Sequence, residues 1–279
     1  MWSAAPDDPL PRLEVAPLSP TEFESALESF EGRTFGGEIL AKAVSAALHT
    51  CPERSVHSLH AYFLRPVPPE QPVRFIVRAR RDGRRLSSRC VVVRHGGRDI
   101  AEVSISLTAI ATGPAFEESP LRLDVPAPED LPTATELADA EGWPGSTLRP
   151  LEWRYIEPPW RQADTGDRAR WRAWIRPSRP LPDEARYHDA ALAYLSDHGS
   201  LGTLQRYFGP AFQWDASTSL DHAFWIHRPF RWNDWILMES RSDAAFAGRA
   251  LTERRLYTPD GRRIASMAQE ALFATKEAP

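Results

Sequence analysis

A short pattern occurs twice in this chain and sets the scale of what it can fold into. Arg65-Pro66 is followed, 31 residues after the proline, by Gly97-Arg98-Asp99-Ile100-Ala101. Arg228-Pro229 is followed, 32 residues after the proline, by Gly261-Arg262-Arg263-Ile264-Ala265. Repeated residues at a repeated spacing point to a duplicated structural unit. The 279 residues accommodate two units of roughly 130 each, either large enough to bury a core. A duplication also carries its own control: a polar residue in one copy where the other has an apolar one is hard to ascribe to packing alone.

Each copy reads as one helix followed by antiparallel strands. Residues 20–30 read as a short lead helix opening at Pro20-Thr21-Glu22. Thr34 is then a candidate cap for a second helix, whose Phe35, Ile39, Leu40, Ala43, Val44, Ala47 and Leu48 give one buried face. Gly36-Gly37 at its start costs about 1 kcal/mol per glycine relative to alanine. The pair marks either a tight turn or a need for close backbone access. Strands are predicted at 56–64, 73–80, 86–94 and 99–107, with Asp82-Gly83 and Gly96-Gly97 as turns. In the second copy strands are predicted at 152–158 and 168–176, a helix at 186–196, and strands at about 218–228, 234–241, 248–257 and 262–273. Residues 111–150 hold seven prolines and read as a linker. The expected organisation is therefore a unit at 1–110, a linker at 111–150 and a unit at 151–279, in an α+β plan.

Bulk properties exclude several classes. The formal charge is −4, so the chain offers no overall basic field and nucleic acid is not an expected partner. Cys51 and Cys90 are the only cysteines, too few for a disulfide framework or a CxxC metal pair. They read as buried thiols in a reducing cytosol. Residues 1–8 lack a basic and apolar leader pattern. The longest uncharged run, Val103 to Phe116, has 14 residues, short of the roughly 20 that span a bilayer. The expectation is a soluble cytoplasmic protein. No nucleophile elbow, P-loop, Rossmann fingerprint or H-E-x-x-H occurs, and no metal site is expected. His57, His60, His222 and His227 read as hydrogen-bonded strand histidines. The arginines at 78, 80, 81, 84, 85 and 89 crowd one hairpin, either as a solvated turn or as a docking surface for a phosphorylated ligand.

The internal control singles out polar residues in the second copy. Aligned by the turn glycines, Ile105 becomes Gln269, on a strand face otherwise made by Ala265, Met267, Ala271 and Phe273. A buried amide without partners costs about 1–3 kcal/mol, so Gln269 is either satisfied structurally or faces a polar site. Aligned by Arg-Pro, Val56 becomes Ser219, a strand-edge serine or a site residue. Asp197 maps near Gly36-Gly37 and reads as a helix-start cap or as part of the same constellation. A carboxylate can deprotonate a water that a hydroxyl and an amide hold, and backbone N–H groups at a glycine-lined helix start can receive an oxyanion.

The motifs Phe35-Gly36-Gly37, His57 to Pro66, Arg81-Asp82-Gly83-Arg84, Tyr194-Leu195-Ser196-Asp197, Leu220 to Pro229 and Gln269-Glu270 resemble the type II acyl-CoA thioesterases, over about residues 33–274. The resemblance implies a double hot-dog fold, two helix-wrapped sheets joined edge to edge. It implies hydrolysis of acyl-CoA to free fatty acid and CoA, with no metal or organic cofactor and CoA only as part of the substrate. It places the catalytic roles on Asp197, Ser219 and Gln269, with Gly36, Gly37 and Gly199 as oxyanion or substrate-binding positions. It agrees with the homo-oligomer that edge strands and ten tryptophans suggest. Two alternatives stand beside it: an acyl-CoA-binding protein without turnover, and a hot-dog enoyl-CoA hydratase. One departure is Glu38, where the family usually has Gln; a negative charge near the site would weaken binding or change acyl preference. Another is the glycine-rich His198-Gly199-Ser200-Leu201-Gly202.

Overall fold

Two helices buried on nearly every side are wrapped by one antiparallel sheet, in a computed structural model that describes residues 8–30, 33–109, 113–117, 124–143, 150–163, 168–209 and 214–275. In chain order, α1 (Leu10–Leu13), β1 (Ala16–Pro17), β2 (Glu22–Ala26), β3 (Ser29–Phe30) and β4 (Arg33–Thr34) precede α2 (Gly36–His49). Then come β5 (Ser55–Phe63), β6 (Pro72–Asp82), β7 (Leu86–His95) and β8 (Arg98–Thr108). The proline-rich connection carries a short 3-10 turn and α3 (Ala134–Ala140), and β9 (Leu151–Tyr155) and β10 (Arg170–Pro177) follow. The remainder is α4 (Ala185–Ser196), α5 (Gly202–Phe208), β11 (Trp214–Ser219), β12 (Asp221–Ile226), β13 (Ile236–Arg241), β14 (Ala245–Phe246), β15 (Arg249–Tyr257) and β16 (Arg263–Thr275).

The duplication is visible in the strand order. The sheet runs β1-β2-β6-β7-β8-β5-β12-β16-β15-β13-β10-β9, with β11 also on β16 and β14 on β15. Read outward from the centre, β5-β8-β7-β6 and β12-β16-β15-β13 are the same sequence of strands. The halves join where β5 pairs with β12, Tyr62 opposite Asp221 and Ser58 opposite Trp225. This is the helix-wrapped, edge-joined double arrangement expected from the sequence.

Both central helices are buried on nearly every side, and the polar side chains they bury, among them Glu38, Lys42, His188 and Asp189, have hydrogen-bond partners. Residues 37–48 of α2 and 187–196 of α4 are buried. The N-terminal end of α2 meets the C-terminal end of α4, where a Cβ on Gly37 would collide with the Tyr194 carbonyl. This close approach accounts for one of the two glycines.

Several local expectations need correction. Residues 20–30 do not form a lead helix; Glu22–Ala26 is a strand paired to the edge of β6, Phe23 opposite Phe75. An open edge beside Val73 and Phe75 gains more from a ladder partner than the segment gains from a local turn. Thr34 does not cap α2: its hydroxyl donates to the Val67 carbonyl at 3.0 Å, and Phe35 occupies the cap position with no side-chain hydrogen bond. The strand predicted at 218–228 is broken at Leu220 into β11 and β12. Helix α3 lies within the span read as a linker, and α5 was not foreseen.

Glu38 also takes an unexpected place. Its carboxylate accepts the Glu28 N–H at 3.1–3.2 Å and pairs with Lys42 at 2.8 Å, both side chains being buried. Lys42 donates in turn to Ser25 Oγ at 2.8 Å and the Ala26 carbonyl at 2.7 Å. The pair thus anchors the β2 segment onto α2. Burial pushes the Glu38 carboxyl up from its ordinary value, and Lys42 offsets part of that.

Candidate active site

Three side chains from three elements converge at the C-terminal end of α4. Asp197 occupies the C-cap position of that helix. It is therefore not at the start of its own helix, as the Arg-Pro offset implied; intervening loops and α5 differ between the copies, so that offset loses register there. Asp197 nevertheless lies at a helix start, that of α2 in the other half. The Gly37 N–H faces its carboxylate and draws its pKa down, and a Cβ on Gly36 would stand 2.6 Å from Oδ2. A helix N-terminus favours an anion at this point.

Ser219, the last residue of β11, donates to Asp197 Oδ1 at 3.3 Å. Gln269, from the inward row of β16, donates through Nε2 to Asp197 Oδ1 and to Ser219 Oγ, each at 2.5 Å. The three residues that the internal comparison selected are thus in mutual contact. Both readings of Gln269 meet here: the amide is fully hydrogen-bonded, and its partners line a pocket. Burial pushes the Asp197 carboxyl up to about 6, against the pull of Arg254, Gln269, the Gly37 N–H and Ser219. Such a group is mostly ionised at neutral pH yet basic enough to take a proton from water.

Two further buried residues touch this cluster and were missed. His222 Nδ1 lies 3.1 Å from Gln269 Oε1 and its Nε2 lies 2.8 Å from Ser196 Oγ. Arg254 donates to Gln269 Oε1 at 3.2 Å and to the Ser196 carbonyl. Burial lowers the His222 imidazole to about 3 and Arg254 to about 10, so at neutral pH the first is uncharged and the second is a cation. The signal was present in the duplication. The Arg-Pro offset that pairs Val56 with Ser219 also pairs Leu59 with His222. The ladder that puts Val91 opposite Val103 puts Arg254 opposite Met267, the equivalent of Val103. Val56, Leu59, Val91 and Ile105 are all buried in the first copy. Four apolar positions of one copy have become one polar cluster in the other.

Asp197, Ser219, Gly36 and Gly199 line an open pocket of about 1290 Å³. One wall comes from α3, through Ala134 and Ala138, and continues through Trp143, Trp160 and Tyr155. Trp143 stacks on Trp160 with ring centroids 6.0 Å apart, and Trp160 meets Tyr155 edge-on at 5.2 Å. Gly199 has φ +74°, and a Cβ there would meet the Trp171 ring at 2.6 Å. Glu38 is not on the pocket wall; its charge is spent on Lys42 and the Glu28 N–H.

The arginine hairpin does not line this pocket. Its Arg89 is buried, donating to Thr50 Oγ1 at 2.9 Å and pairing with Asp82 at 2.8 Å. Cys51 and Cys90 are free, buried thiols. Among the described residues no cluster of three His, Cys, Asp or Glu side chains could hold a metal ion. No helix among them is long and apolar enough to cross a membrane.

Comparison with known proteins bears on the family and the fold. Residues 26–112 match the family model described as the acyl-CoA thioesterase N-terminal domain, and residues 128–273 match the acyl-CoA thioesterase C-terminal domain. Acyl-CoA thioesterase 2 of Haemophilus influenzae is 32% identical over 258 residues, covering 88% of this chain and 89% of that protein. Acyl-coenzyme A thioesterase 8 of Mus musculus is 29% identical over 260 residues, covering 88% and 81%. The crystal structure of the acyl-CoA thioesterase II TesB2 from Mycobacterium marinum superposes with a TM-score of 0.78 at 29% identity, covering 96% of this chain and 98% of that one. A hot-dog protein of unknown function from Alicyclobacillus acidocaldarius shares the fold at 18% identity, with a TM-score of 0.76 and coverage of 96% and 97%.

Proposed function

The chain belongs to the acyl-CoA thioesterase family of hydrolases, and from that premise we propose that Asp197 activates a water for attack on the thioester carbonyl of an acyl-CoA. The observation that carries this reading is the mutual contact of Asp197, Ser219 and Gln269 beside a pocket. Asp197 takes a proton as the water oxygen bonds to the carbonyl carbon. The Gln269 amide fixes the Asp197 carboxylate and the Ser219 hydroxyl, and those two, which line the pocket, hold the water. The carbonyl oxygen becomes an oxyanion as the C–O bond forms. Gly36 and Gly199 line the pocket, so the Gly36 N–H and the backbone at Gly199 are the donors assigned to the oxyanion. Collapse of the intermediate breaks the C–S bond. The proton on Asp197 passes to the departing thiolate, giving a carboxylic acid and CoA. Water, one carboxylate and neutral donors suffice, and the reading calls on no metal or organic cofactor. The apolar wall of α3, Trp143 and Trp160 suits the acyl chain.

One alternative loses its support and the other is narrowed to a single pair. An acyl-CoA-binding protein without turnover was favoured by Glu38, whose charge is turned away from the pocket. A hydratase would need a paired Asp and His facing one substrate, and Asp197 with His198, which both line the pocket, is the pair left to it. Asp221 instead accepts the Glu270 N–H at 2.9 Å, on the strand face opposite the buried His222.

The test is free-thiol release from a panel of acyl-CoAs. Asp197→Asn should lower kcat by at least about 10²-fold, the low end of general-base contributions. A folded Asn variant with unchanged turnover would reject the assignment. Loss of crotonyl-CoA absorbance without thiol release would favour the hydratase.

A further inference from the structure

We propose that Arg254 and His222 are positioning residues that lock the Gln269 amide in the one orientation able to serve Asp197 and Ser219. The proposal rests on the hydrolytic reading of the site. It follows from the directions in which each group can donate.

The amide of Gln269 has two orientations related by a flip, and its four neighbours decide between them. On one side are Asp197 Oδ1 and Ser219 Oγ, each 2.5 Å from one terminal atom. On the other are His222 Nδ1 at 3.1 Å and Arg254 Nη2 at 3.2 Å. His222 and Ser196 alone leave the choice open. If the Ser196 hydroxyl donates to the Ala193 carbonyl, 2.7 Å away, His222 carries its proton on Nε2 and presents a bare Nδ1 to Gln269. That arrangement suits a flipped amide, with NH2 toward His222 and its oxygen against the Asp197 carboxylate. If Ser196 donates to His222 Nε2 instead, Nδ1 carries the proton and asks for an oxygen.

Arg254 breaks the tie because a guanidinium only donates. It cannot face an amide NH2 at 3.2 Å, so Oε1 turns toward it and the NH2 turns toward Asp197 and Ser219. His222 must then be the neutral Nδ1–H tautomer, with Ser196 donating to Nε2. The second role of Arg254 is electrostatic. Asp197 is faced by Arg254 from β15, by neutral His222 from β12 beyond Gln269, by its chain neighbour His198, and by the Gly37 N–H of α2. Arg254 is the one cation among them at neutral pH. It has no counterpart in the first copy, where Val91 and Leu59 occupy the two positions.

The tautomer is measurable without any variant. Nitrogen NMR of the wild-type protein with ¹⁵N-labelled histidine should show His222 protonated at Nδ1 and neutral down to pH 5. An Nε2–H tautomer would overturn the lock even if turnover were normal. The kinetic test uses Arg254→Met and His222→Leu, with thiol release followed from pH 5 to 9. Arg254→Met should move the acid limb of kcat/KM upward by about one pH unit or more, the scale of one close opposite charge. His222→Leu should lower kcat about tenfold, as for one lost hydrogen bond, and leave KM within about twofold. A purely structural role would lower the melting temperature without moving the acid limb. Folded variants with an unmoved limb and unchanged kcat would refute the proposal. Wild-type protein that releases no thiol would refute the hydrolytic reading instead, and the NMR result would still decide the lock.

Discussion

The backbone N–H of Gly37 faces the carboxylate of Asp197 and draws its pKa down, so the helix start of one half of the molecule abuts the candidate base of the other. Gly36 is the tighter neighbour on the pocket side. A methyl there would lie 2.6 Å from Asp197 Oδ2 and 3.1 Å from the Phe63 ring. Gly36→Ala should therefore displace the carboxylate while adding helix propensity. A displacement near 1 Å costs on the order of 10²-fold in rate. The expected outcome is a kcat reduced to that extent, with a melting temperature no lower than that of the wild type. Full activity in Gly36→Ala would show that the carboxylate has room to move.

The duplicated spacing carried most of what could be read in the sequence. Alternation and turn residues placed most strands of both copies, and the duplicated register then paired Ile105 with Gln269 and Val56 with Ser219 as candidate site positions, because period-2 geometry survives alignment by a turn. The Asp197 environment was harder to read. Its partner Gly37 is 160 positions away and contributes only backbone, which no residue pattern reports. His222 and Arg254 were legible through the same register but passed as an ordinary strand histidine and one of many arginines. The strand at Glu22–Ala26 was not legible locally, since its reason for being a strand is the open edge of β6.

Helix α3 should set how long an acyl chain the pocket accepts. Ala134 and Ala138 are one turn apart on its pocket-facing side. Ala138→Phe would fill the space beyond them. Each methylene denied burial costs about 0.8 kcal/mol, about fourfold in kcat/KM. Long-chain acyl-CoAs should lose at least tenfold in kcat/KM while short-chain ones change by less than twofold. A uniform loss across chain lengths would place the acyl group elsewhere.

The Glu38–Lys42 pair should matter to stability and not to substrate. Removing one partner of a buried ion pair costs about 3–5 kcal/mol when the other is left uncompensated, but without Lys42 the Glu38 carboxylate keeps Arg12 at 3.9 Å and the Glu28 N–H. Lys42→Met should lose stability toward the lower end of that scale in urea unfolding. Glu38→Gln restores the family residue but strands the Lys42 ammonium, which keeps Ser25 and the Ala26 carbonyl as acceptors; its loss should be smaller. KM for acyl-CoA should be unchanged in Glu38→Gln. A KM shifted several-fold would mean that the carboxylate reaches the substrate after all.

Asp189 gives the protein a stability that falls as pH rises. Its buried carboxyl accepts the Val56 N–H at 2.8 Å, and burial pushes it from 3.8 up to about 7, with the Val56 hydrogen bond and Arg231 offsetting only part. The folded chain therefore holds a proton that the unfolded chain releases near 3.8. This contribution is fully present below that value and is lost progressively as pH climbs through about 7. Between the two values the slope for one such group is about 1.4 kcal/mol per pH unit. Asp189→Asn keeps an oxygen for the Val56 N–H and has nothing to ionise. Its unfolding free energy should fall less steeply with pH than that of the wild type, so that the variant gains relative stability between pH 5 and 7 and the gain levels off above. A difference that stays constant across this range, or that grows on acidification, would mean that Asp189 is ionised in the folded protein and held by its neighbours.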